Sequence, residues 1–263
     1  MPTKLRDFDY EPPLTPADCL LDVVTPTCNR QRELAEQAER IGLQLGDNDR
    51  WIVVDDASDL AVDVRGLAAA MPTPDRLLYA GLCYLKGQYG STLNRARHVA
   101  CTLARPDAWI VEVDDHDPIT PDCLSFIRQA IVAGATFVYG DVIHVAPSGM
   151  ELQPFAKPDY RQWLLRDEGS PCEGVRAYPK WLYEAVGGYR WYGERDVGGN
   201  EWPAGDYGLF MRMEQLTEGF GFCRIPRVLC STVKHPHGIS GQYQGEQAGM
   251  AAQLRAAAAA GVL

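Results

Sequence analysis

Four consecutive polar residues, Asp114, Asp115, His116 and Asp117, follow directly on an apolar run over residues 109–113. Three carboxylates and an imidazole at the end of a buried strand repel one another and lose hydration, which is costly unless a cation lies among them. Carboxylate oxygen together with imidazole nitrogen suits Mn²⁺ better than Ca²⁺, because nitrogen is a poor ligand for the harder ion. The cluster therefore predicts a divalent-metal site that receives a phosphorylated ligand. The alternative is a solvated acidic turn that caps the next helix.

Two different pairs of these four side chains could bind a cation. Successive side chains of an extended chain point to opposite sides. On that basis Asp114 and His116 face one side, and Asp115 and Asp117 face the other. Either pair could bind a cation, and the sequence leaves both pairings open.

Two earlier apolar runs also end in polar residues. The run over 19–24 is followed by a predicted polar turn, Thr-Pro-Thr-Cys-Asn-Arg, over 25–30, and the run over 51–54 is followed by Asp-Asp-Ala-Ser over 55–58. Parallel strands align their carboxyl ends along one edge of a sheet, where ligands bind in open α/β folds. We therefore expect the three polar clusters to converge at one site.

The elements that must position these clusters alternate from residue 19 to residue 143. Hydrophobic patterning predicts strands over 19–24, 51–54, 76–80, 109–113 and 135–143, with helices over 31–45, 64–71, 92–103 and 123–133 between them. Such alternation predicts an α/β fold with a mostly parallel sheet covered by helices on both faces.

Beyond residue 145 the alternation stops, and Gly, Pro and aromatic residues become frequent. Helices are predicted over 179–186 and 206–216, a strand over 220–230, and an alanine-rich helix over 247–260 that packs on the domain or mediates a homodimer. Asp206 begins one of these helices after a Gly-rich run, 197–204. It is either an N-cap or a general base beside a mobile loop.

Composition excludes several classes of protein. The formal net charge is −10 with a pI near 5.0, which argues against a strongly basic nucleic-acid surface. No apolar run approaches the roughly 18 residues of a membrane span, and the first residues lack the apolar core of a signal peptide. Eight scattered cysteines without a Cys-x-x-Cys pair indicate reduced thiols. The expected location is the cytoplasm.

The motifs together resemble those of the family 2 glycosyltransferases, which have the GT-A fold, over residues 20 to 240. The matching segments, in the order of the family, are Val-Val-Thr-Pro-Thr-Cys-Asn-Arg (23–30), Val-Val-Asp-Asp-Ala-Ser (53–58), Ala-Arg-His (96–98), Val-Asp-Asp-His-Asp-Pro-Ile-Thr-Pro-Asp-Cys-Leu (113–124), Tyr-Glu-Ala-Val-Gly-Gly-Tyr (183–189), Ala-Gly-Asp-Tyr-Gly-Leu-Phe-Met-Arg (204–212) and His-Pro-His-Gly-Ile-Ser (235–240). Two positions depart from the family pattern: His116 replaces the usual metal-binding Asp, and Gly205 replaces a Glu.

The resemblance implies a role for each matching residue. The catalytic base is Asp206, and the metal ligands are Asp114, His116 and His235. The donor-binding residues are Thr25, Pro26, Thr27, Asn29, Asp56, Arg97, Asp114 and Asp115. Outside the matching segments, the aromatic and glycine-rich region over 145–205 is expected to bind the acceptor, with Asn200 and Trp202 as the candidate residues.

The implied architecture is a GT-A type, Rossmann-like sheet with a C-terminal acceptor-binding portion. It comprises an N-terminal arm (1–18), a nucleotide-sugar-binding half (19–145), an acceptor-binding and catalytic half of the same domain (146–242) and a C-terminal helix (243–263).

The implied reaction is an inverting transfer of a sugar from a nucleoside-diphosphate sugar to an acceptor hydroxyl, with Mn²⁺ or Mg²⁺ as cofactor. The expected donor is a UDP-sugar, and the acceptor is a glycan, a lipid-linked or small molecule, or a modified nucleic acid. The alternatives are a nucleotidyltransferase of similar fold and a non-catalytic sugar- or nucleotide-binding protein. A dehydrogenase is disfavoured, since no Gly-x-Gly-x-x-Gly follows the first strand.

Overall fold

Strands and helices alternate through most of the described chain. The structure, a computed structural model, describes residues 15–83, 94–146, 148, 151–157, 159, 173–189, 205–233, 252 and 256. The strands are β1 (Leu21–Thr27), β2 (Arg50–Asp55), β3 (Leu77–Gly81), β4 (Trp109–Glu112), β5 (Phe137–Val145), β6 (Glu151–Phe155), β7 (Arg176–Pro179) and β8 (Phe222–Val233). The helices are α1 (Gln31–Gly42), α2 (Val64–Ala69), α3 (Asn94–Leu103), α4 (Cys123–Val132), α5 (Lys180–Ala185) and α6 (Gly205–Thr217).

The described strands form one mixed sheet in the order β3-β2-β1-β4-β7-β5-β6, with β8 paired to β5. Strands β1 to β4 are parallel, and β8 is parallel to β5. Strand β7 is antiparallel to both β4 and β5, and β6 is antiparallel to β5. The prediction of a mostly parallel α/β sheet is therefore confirmed. The two antiparallel strands were not predicted, because each is only four or five residues long and contains a proline.

The helices cover both faces of the sheet. One apolar layer packs α1, α2 and α4 against the face that includes Val23, Val53 and Val111. The other layer packs α3, α5 and α6 against the face that includes Val24, Ile52 and Ile110. Since neighbouring residues of a strand point to opposite faces, the continuous Val and Ile runs of β1, β2 and β4 fill both layers at once.

Strand β1 continues through Thr27, whereas the sequence predicts a turn from Thr25 onward. Val24 O accepts a hydrogen bond from Val113 N, and Thr27 O accepts one from Asp56 N, so alternate residues of β1 face β4 and β2. Pro26 therefore faces the side where β4 has already ended, and its missing N–H costs no ladder bond. The strand can thus include a proline and deliver Thr27 to the edge of the sheet.

The amino ends of the strands are fixed by ion pairs. Asp22 is fully buried in β1 and accepts hydrogen bonds from Arg50 Nη2 and Arg105 Nη2, both at 2.7 Å. Burial alone would raise the pKa of Asp22, but these two arginines hold it below its usual value. This network lies opposite the edge at which the polar clusters end.

The last described strand ties the two halves of the sequence together. The boundary predicted at residue 145 coincides with the end of β5, yet β8 pairs with β5 along its whole length. In addition, Thr120 N donates to Leu229 O (2.8 Å) and Ser231 N donates to Pro118 O (3.0 Å). The segment after the acidic cluster is therefore held by a strand from the end of the described chain.

Some predictions fall largely outside these ranges. Of the predicted arm over 1–18, the structure describes residues 15–18, and of the predicted helix over 247–260 it describes residues 252 and 256, both helical. None of the helices in the described part of the chain has the length and apolar character needed to cross a membrane.

Candidate active site

Thr27 joins the three polar clusters that follow β1, β2 and β4. Its carbonyl accepts a hydrogen bond from Asp56 N (2.8 Å), and its hydroxyl donates to Asp115 Oδ2 (2.9 Å). The carboxyl ends of the three parallel strands therefore meet at one edge, as their sequence pattern predicts.

The β1–α1 connection is held against the residues that follow β2. Asn29 has a positive φ of 56°, a conformation that Asn tolerates better than most residues. Its Nδ2 donates to Asp59 Oδ2 (3.0 Å), its Oδ1 accepts from Asp59 N (2.7 Å), and its backbone N–H donates to Ser58 Oγ (2.7 Å). Asn29 thus fixes the turn beside the buried Asp56.

Two other residues of the predicted donor site, Thr25 and Pro26, are buried in β1. The Thr25 hydroxyl accepts a hydrogen bond from Trp51 Nε1 at 2.9 Å inside the core. The side chain of Thr25 therefore serves the packing of the sheet, whereas Thr27, the last residue of β1, contacts the polar residues that follow β2 and β4.

Residues 114–117 form a turn, which we call the acidic turn. The extended chain assumed for the pairing of its side chains is not observed, because Asp117 N donates to Asp114 O (3.1 Å) and folds the segment back. His116 consequently contacts both neighbours: its Nδ1 lies 2.9 Å from Asp115 Oδ1, and its Nε2 lies 3.8 Å from Asp117 Oδ1. The alternation of Asp114 and His116 against Asp115 and Asp117 is therefore wrong.

Two cations flank the acidic turn. Arg97 Nη2 on α3 donates to Asp114 Oδ1 at 2.5 Å, and both side chains are largely buried. Arg30 Nε lies 3.9 Å from Asp115 Oδ1 on the other side. Arg97, expected to contact the donor, is thus occupied by Asp114, and Arg30 was not identified from the sequence.

The charges of the turn shift the pKa values of its members in different directions. Burial would raise the pKa of Asp114, but Arg97, Arg176 and His116 hold it well below its usual range. Burial and the charge of Asp114 raise the pKa of Asp117 to about 7. Burial would lower the pKa of His116, but its hydrogen bond to Asp115 and the neighbouring carboxylates raise it. The surroundings therefore keep Asp114 in its charged form, whereas they disfavour ionisation of Asp117.

Glu112, which lies two residues before the acidic turn, forms a buried ion pair with Arg176. Glu112, the last residue of β4, accepts hydrogen bonds from Arg176 Nε (3.1 Å) and Nη2 (2.9 Å) on β7. Tyr189 OH lies 2.8 and 2.9 Å from its two carboxylate oxygens, and Tyr178 OH also donates to it. This network was not predicted, because no local pattern links Glu112 to residues more than 60 positions away.

Close packing against Tyr183 requires a glycine at position 188 of the Gly-Gly-Tyr segment (187–189). Gly188 has a φ of 63°, and a Cβ at this position would lie 2.8 Å from the Tyr183 ring and hydroxyl. Arg212 on α6 donates from Nε to Val186 O (3.0 Å) and also hydrogen-bonds Gly188 O. The arginine of the α6 motif thus fixes the turn that delivers Tyr189 to Glu112.

Asp206 lies at the start of α6 and is partly exposed. Its Oδ1 accepts a hydrogen bond from Tyr207 N at 2.8 Å. Burial would lower the pKa of Arg176, but the charges of Glu112, Asp114 and Asp206 raise it well above its usual value. Asp206 therefore shares the electrostatic environment of one buried guanidinium with Asp114.

A cavity of about 360 Å³ opens beside the acidic turn. It is bordered by Asp115 and His116, by Arg30 immediately before α1, by Gln37 in the middle of that helix, and by Val145 at the end of β5. The cavity thus brings a cationic side chain next to the exposed face of His116. The remaining predicted site residues, Asn200, Trp202 and His235, lie outside the described residues.

The acidic turn offers two groups for a divalent cation. His116 Nε2 and Asp117 Oδ1 lie 3.8 Å apart, and Asp117 Oδ1 is buried without a hydrogen-bond donor in the described chain. No group of three His, Cys, Asp or Glu side chains in the described ranges is arranged to hold a metal ion. Two protein ligands suit Mg²⁺-like ions, which take further ligands from substrate phosphates and water. The donor set fits Mn²⁺ or Mg²⁺ arriving with a diphosphate, and does not form a closed structural site.

Comparison with known proteins places this site in a family. Residues 22–175, more than half of the chain, match glycosyl transferase family 2. No curated protein matches the sequence significantly. Many solved structures have a similar fold at low sequence identity. Of the three given below, the chain spans about 60% of the length of the first two.

S. aureus TarS 1–349 in complex with UDP-GlcNAc is 17% identical with a TM-score of 0.61, covering 82% of this chain and 58% of that one. Mannosyltransferase PcManGT from Pyrobaculum calidifontis in complex with GDP-Man and Mn²⁺ is 22% identical with a TM-score of 0.57, covering 89% and 62%. Glucosyl-3-phosphoglycerate synthase from Mycobacterium tuberculosis in complex with Mn²⁺, UDP-Glc and phosphoglyceric acid is 14% identical with a TM-score of 0.61, covering 97% and 87%. The family match shows that the chain belongs to glycosyl transferase family 2, and the similar structures share its GT-A fold.

Proposed function

We propose that this glycosyltransferase moves a sugar from a nucleoside-diphosphate sugar to an acceptor hydroxyl with inversion at the anomeric carbon, and that it requires a divalent cation. The observation that carries the proposal is the convergence of the strand ends: Thr27 of β1 hydrogen-bonds Asp56 N, which follows β2, and Asp115 Oδ2, which follows β4. A turn suited to a cation and diphosphate thereby lies at the edge of the sheet where ligands bind in α/β folds.

The donor half of the site is assigned to the ends of β1, β2 and β4. Asp56 would contact the nucleotide base, and Thr27, Asn29 and Asp115 would frame the donor. We propose a UDP-sugar as donor; the TarS and mannosyltransferase structures contain UDP-GlcNAc and GDP-Man, respectively, so UDP and GDP are the two nucleotides to compare.

The cation is assigned to the acidic turn. His116 and His235, both implied by the family motif, would hold it together with Asp117. Asp114, the third ligand implied by that motif, is paired with Arg97 instead. When bound, a divalent cation supplies positive charge that neutralises the departing diphosphate. Arg97 keeps Asp114 charged and oriented beneath this site, and Arg30 adds positive charge at its rim.

Asp206 is assigned as the general base. It would accept the proton of the acceptor hydroxyl as that oxygen attacks the anomeric carbon from the side opposite the diphosphate. Asn200 and Trp202 remain assigned to the acceptor, and the cytoplasm remains the expected location.

Exchange of Asp206 for Asn tests the assignment of the base. We expect Asp206→Asn to lower donor- and acceptor-dependent release of nucleoside diphosphate by about 10²–10⁴-fold, since the amide cannot accept the proton. Donor affinity, measured by calorimetry with Mn²⁺ and again with EDTA, should stay within a few-fold of wild type and should depend on the metal.

The matched control is Asp75→Asn, the same exchange at an exposed carboxylate before β3. Equal turnover by Asp206→Asn and wild type would remove Asp206 from the mechanism. Equal nucleotide affinity with Mn²⁺ and EDTA would remove the cation. Binding without any release of nucleoside diphosphate would favour a non-catalytic binding protein.

A further inference from the structure

Gln37 connects helix α1 to the backbone of the acidic turn. Its side chain is buried, and its Nε2 donates to Asp114 O (3.2 Å) and to Asp117 O (2.6 Å). An amide nitrogen carries two protons, so one group holds both the first and the last carbonyl of the four-residue turn.

The acidic turn needs such an external restraint. Its three carboxylates repel one another, and the bond from Asp117 N to Asp114 O is its own backbone closure. Thr27 and Arg97 hold the side chains of Asp115 and Asp114, respectively. Gln37 instead acts on the backbone, which sets where His116 and Asp117 lie.

The second polar atom of Gln37 indicates what the amide is for. Gln37 Oε1 is buried and accepts no hydrogen bond from the described residues. A buried polar atom without a partner destabilises the fold, and an apolar side chain of equal length would avoid that cost. The contribution of the amide therefore lies in its two donated bonds to the turn.

Gln44 provides a natural comparison seven residues further along. Its Nε2 donates to Thr120 O (2.9 Å), and its Oε1 accepts from Leu124 N (3.1 Å). Gln44 lies just beyond the end of α1, two residues after Gly42. The two glutamines thus bind the same connection between β4 and α4, but only Gln37 contacts the acidic turn.

We propose that Gln37 is a positioning residue for the cation and diphosphate. It fixes the backbone of the acidic turn, so that His116 and Asp117 meet an incoming metal–nucleotide complex without prior rearrangement. This inference rests on the proposed function of the site, and its test separates the two.

The test compares Gln37→Met with Gln44→Met in the full chain. Each exchange keeps the length of the side chain and removes its hydrogen bonds to the β4–α4 connection, so we expect similar falls in melting temperature. The affinity for Mn²⁺ together with UDP or GDP, whichever binds wild type, should fall about 10-fold or more in Gln37→Met, as for other residues that orient metal ligands. In Gln44→Met it should stay within about 2-fold.

Hydrogen exchange without metal or nucleotide supplies the second measurement. Gln37→Met should accelerate exchange of the Asp117 amide, whereas Gln44→Met should accelerate exchange of the Leu124 amide. Should Gln37→Met fold poorly, Gln37→Leu replaces it, because a smaller apolar side chain also lacks the two donated protons and adds no charge beside the turn.

The outcomes distinguish the inference from the proposed function. Equal metal–nucleotide affinity in both variants, or unchanged exchange at Asp117 in Gln37→Met, overturns the positioning role. If wild type itself shows no metal-dependent nucleotide binding, the proposed cation site fails. The positioning role for that site then fails with it, although accelerated exchange would still establish Gln37 as a restraint on the turn.

Discussion

The buried pair of Glu112 and Arg176 leads to an asymmetric prediction for stability. Both side chains are almost fully buried, 2% and 4% exposed, and Arg176 is the one cation that hydrogen-bonds Glu112 in the described chain. Arg176→Met would leave Glu112 buried with only its two tyrosine donors. Removing one partner of a buried pair costs about 3–5 kcal/mol, so the melting temperature should fall by roughly 6–20 °C.

The reverse exchange should cost less. Glu112→Gln leaves a charged Arg176 that Asp114 and Asp206 still partly compensate, and the glutamine can keep hydrogen bonds to Tyr178 and Tyr189. We expect a loss of about 1–3 kcal/mol. In the double variant Arg176 is absent, so the neutral amide at position 112 should restore part of the loss caused by Arg176→Met, with a coupling of about 2 kcal/mol.

Denaturant unfolding of wild type, the two single variants and the double variant forms a complete cycle. The reasoning would be refuted if the two losses simply added, or if Arg176→Met were no more costly than Glu112→Gln. Either result would mean that Glu112 is stabilised mainly by its tyrosines, and that Arg176 belongs to the site above it.

Two further predictions concern the backbone and the opposite end of the sheet. Gly188→Ala should lose about 1–3 kcal/mol by denaturant unfolding and more than Gly134→Ala, because both positions have positive φ but only at Gly188 would the new Cβ meet a neighbour, Tyr183. Equal losses would refute the clash. Asp22→Asn should lose about 2–3 kcal/mol at neutral pH, a modest loss because the two arginines keep partial access to water. Because folding lowers the pKa of Asp22, its charged form stabilises the protein at pH values above 3.8, the pKa in the unfolded chain, and this stability is lost as the pH falls further. The free energy of unfolding of Asp22→Asn should therefore depend less on pH in the acid range than that of wild type. An unchanged dependence would exclude Asp22 as the source of the acid sensitivity.

The sequence was sufficient to predict the parallel part of the sheet and the convergence of its strand ends. Runs such as Trp51–Val54 and Trp109–Val113 carry enough β-branched and aromatic residues to define strands. The alternation of strands and helices then predicts that these strands run parallel. Thr27 could not be assigned to β1, because the preceding Pro26 predicts a turn. A proline fits in a strand only where no neighbouring strand needs its N–H, and the sequence does not show that β4 ends before Pro26.

The contacts inside the site could not be predicted from the sequence, because they depend on the three-dimensional fold. The acidic turn folds back through a bond between Asp117 and Asp114, so side-chain alternation does not apply to it. Gln37 looks like any polar residue on a helix until the turn is seen against it. Motifs locate residues along the chain, whereas partners such as Glu112 and Arg176 are chosen by the topology that brings β7 beside β4.

The bond between Thr120 and Leu229 has a consequence for how the protein comes to bind its ligands. These residues are 109 positions apart, and their contact anchors the downstream side of the acidic turn to β8. Contacts of such long range close late, since the entropy of the intervening loop must be lost first. Metal and nucleotide affinity should therefore emerge only with the final cooperative step of folding, and a nascent chain released before β8 would lack a working pocket.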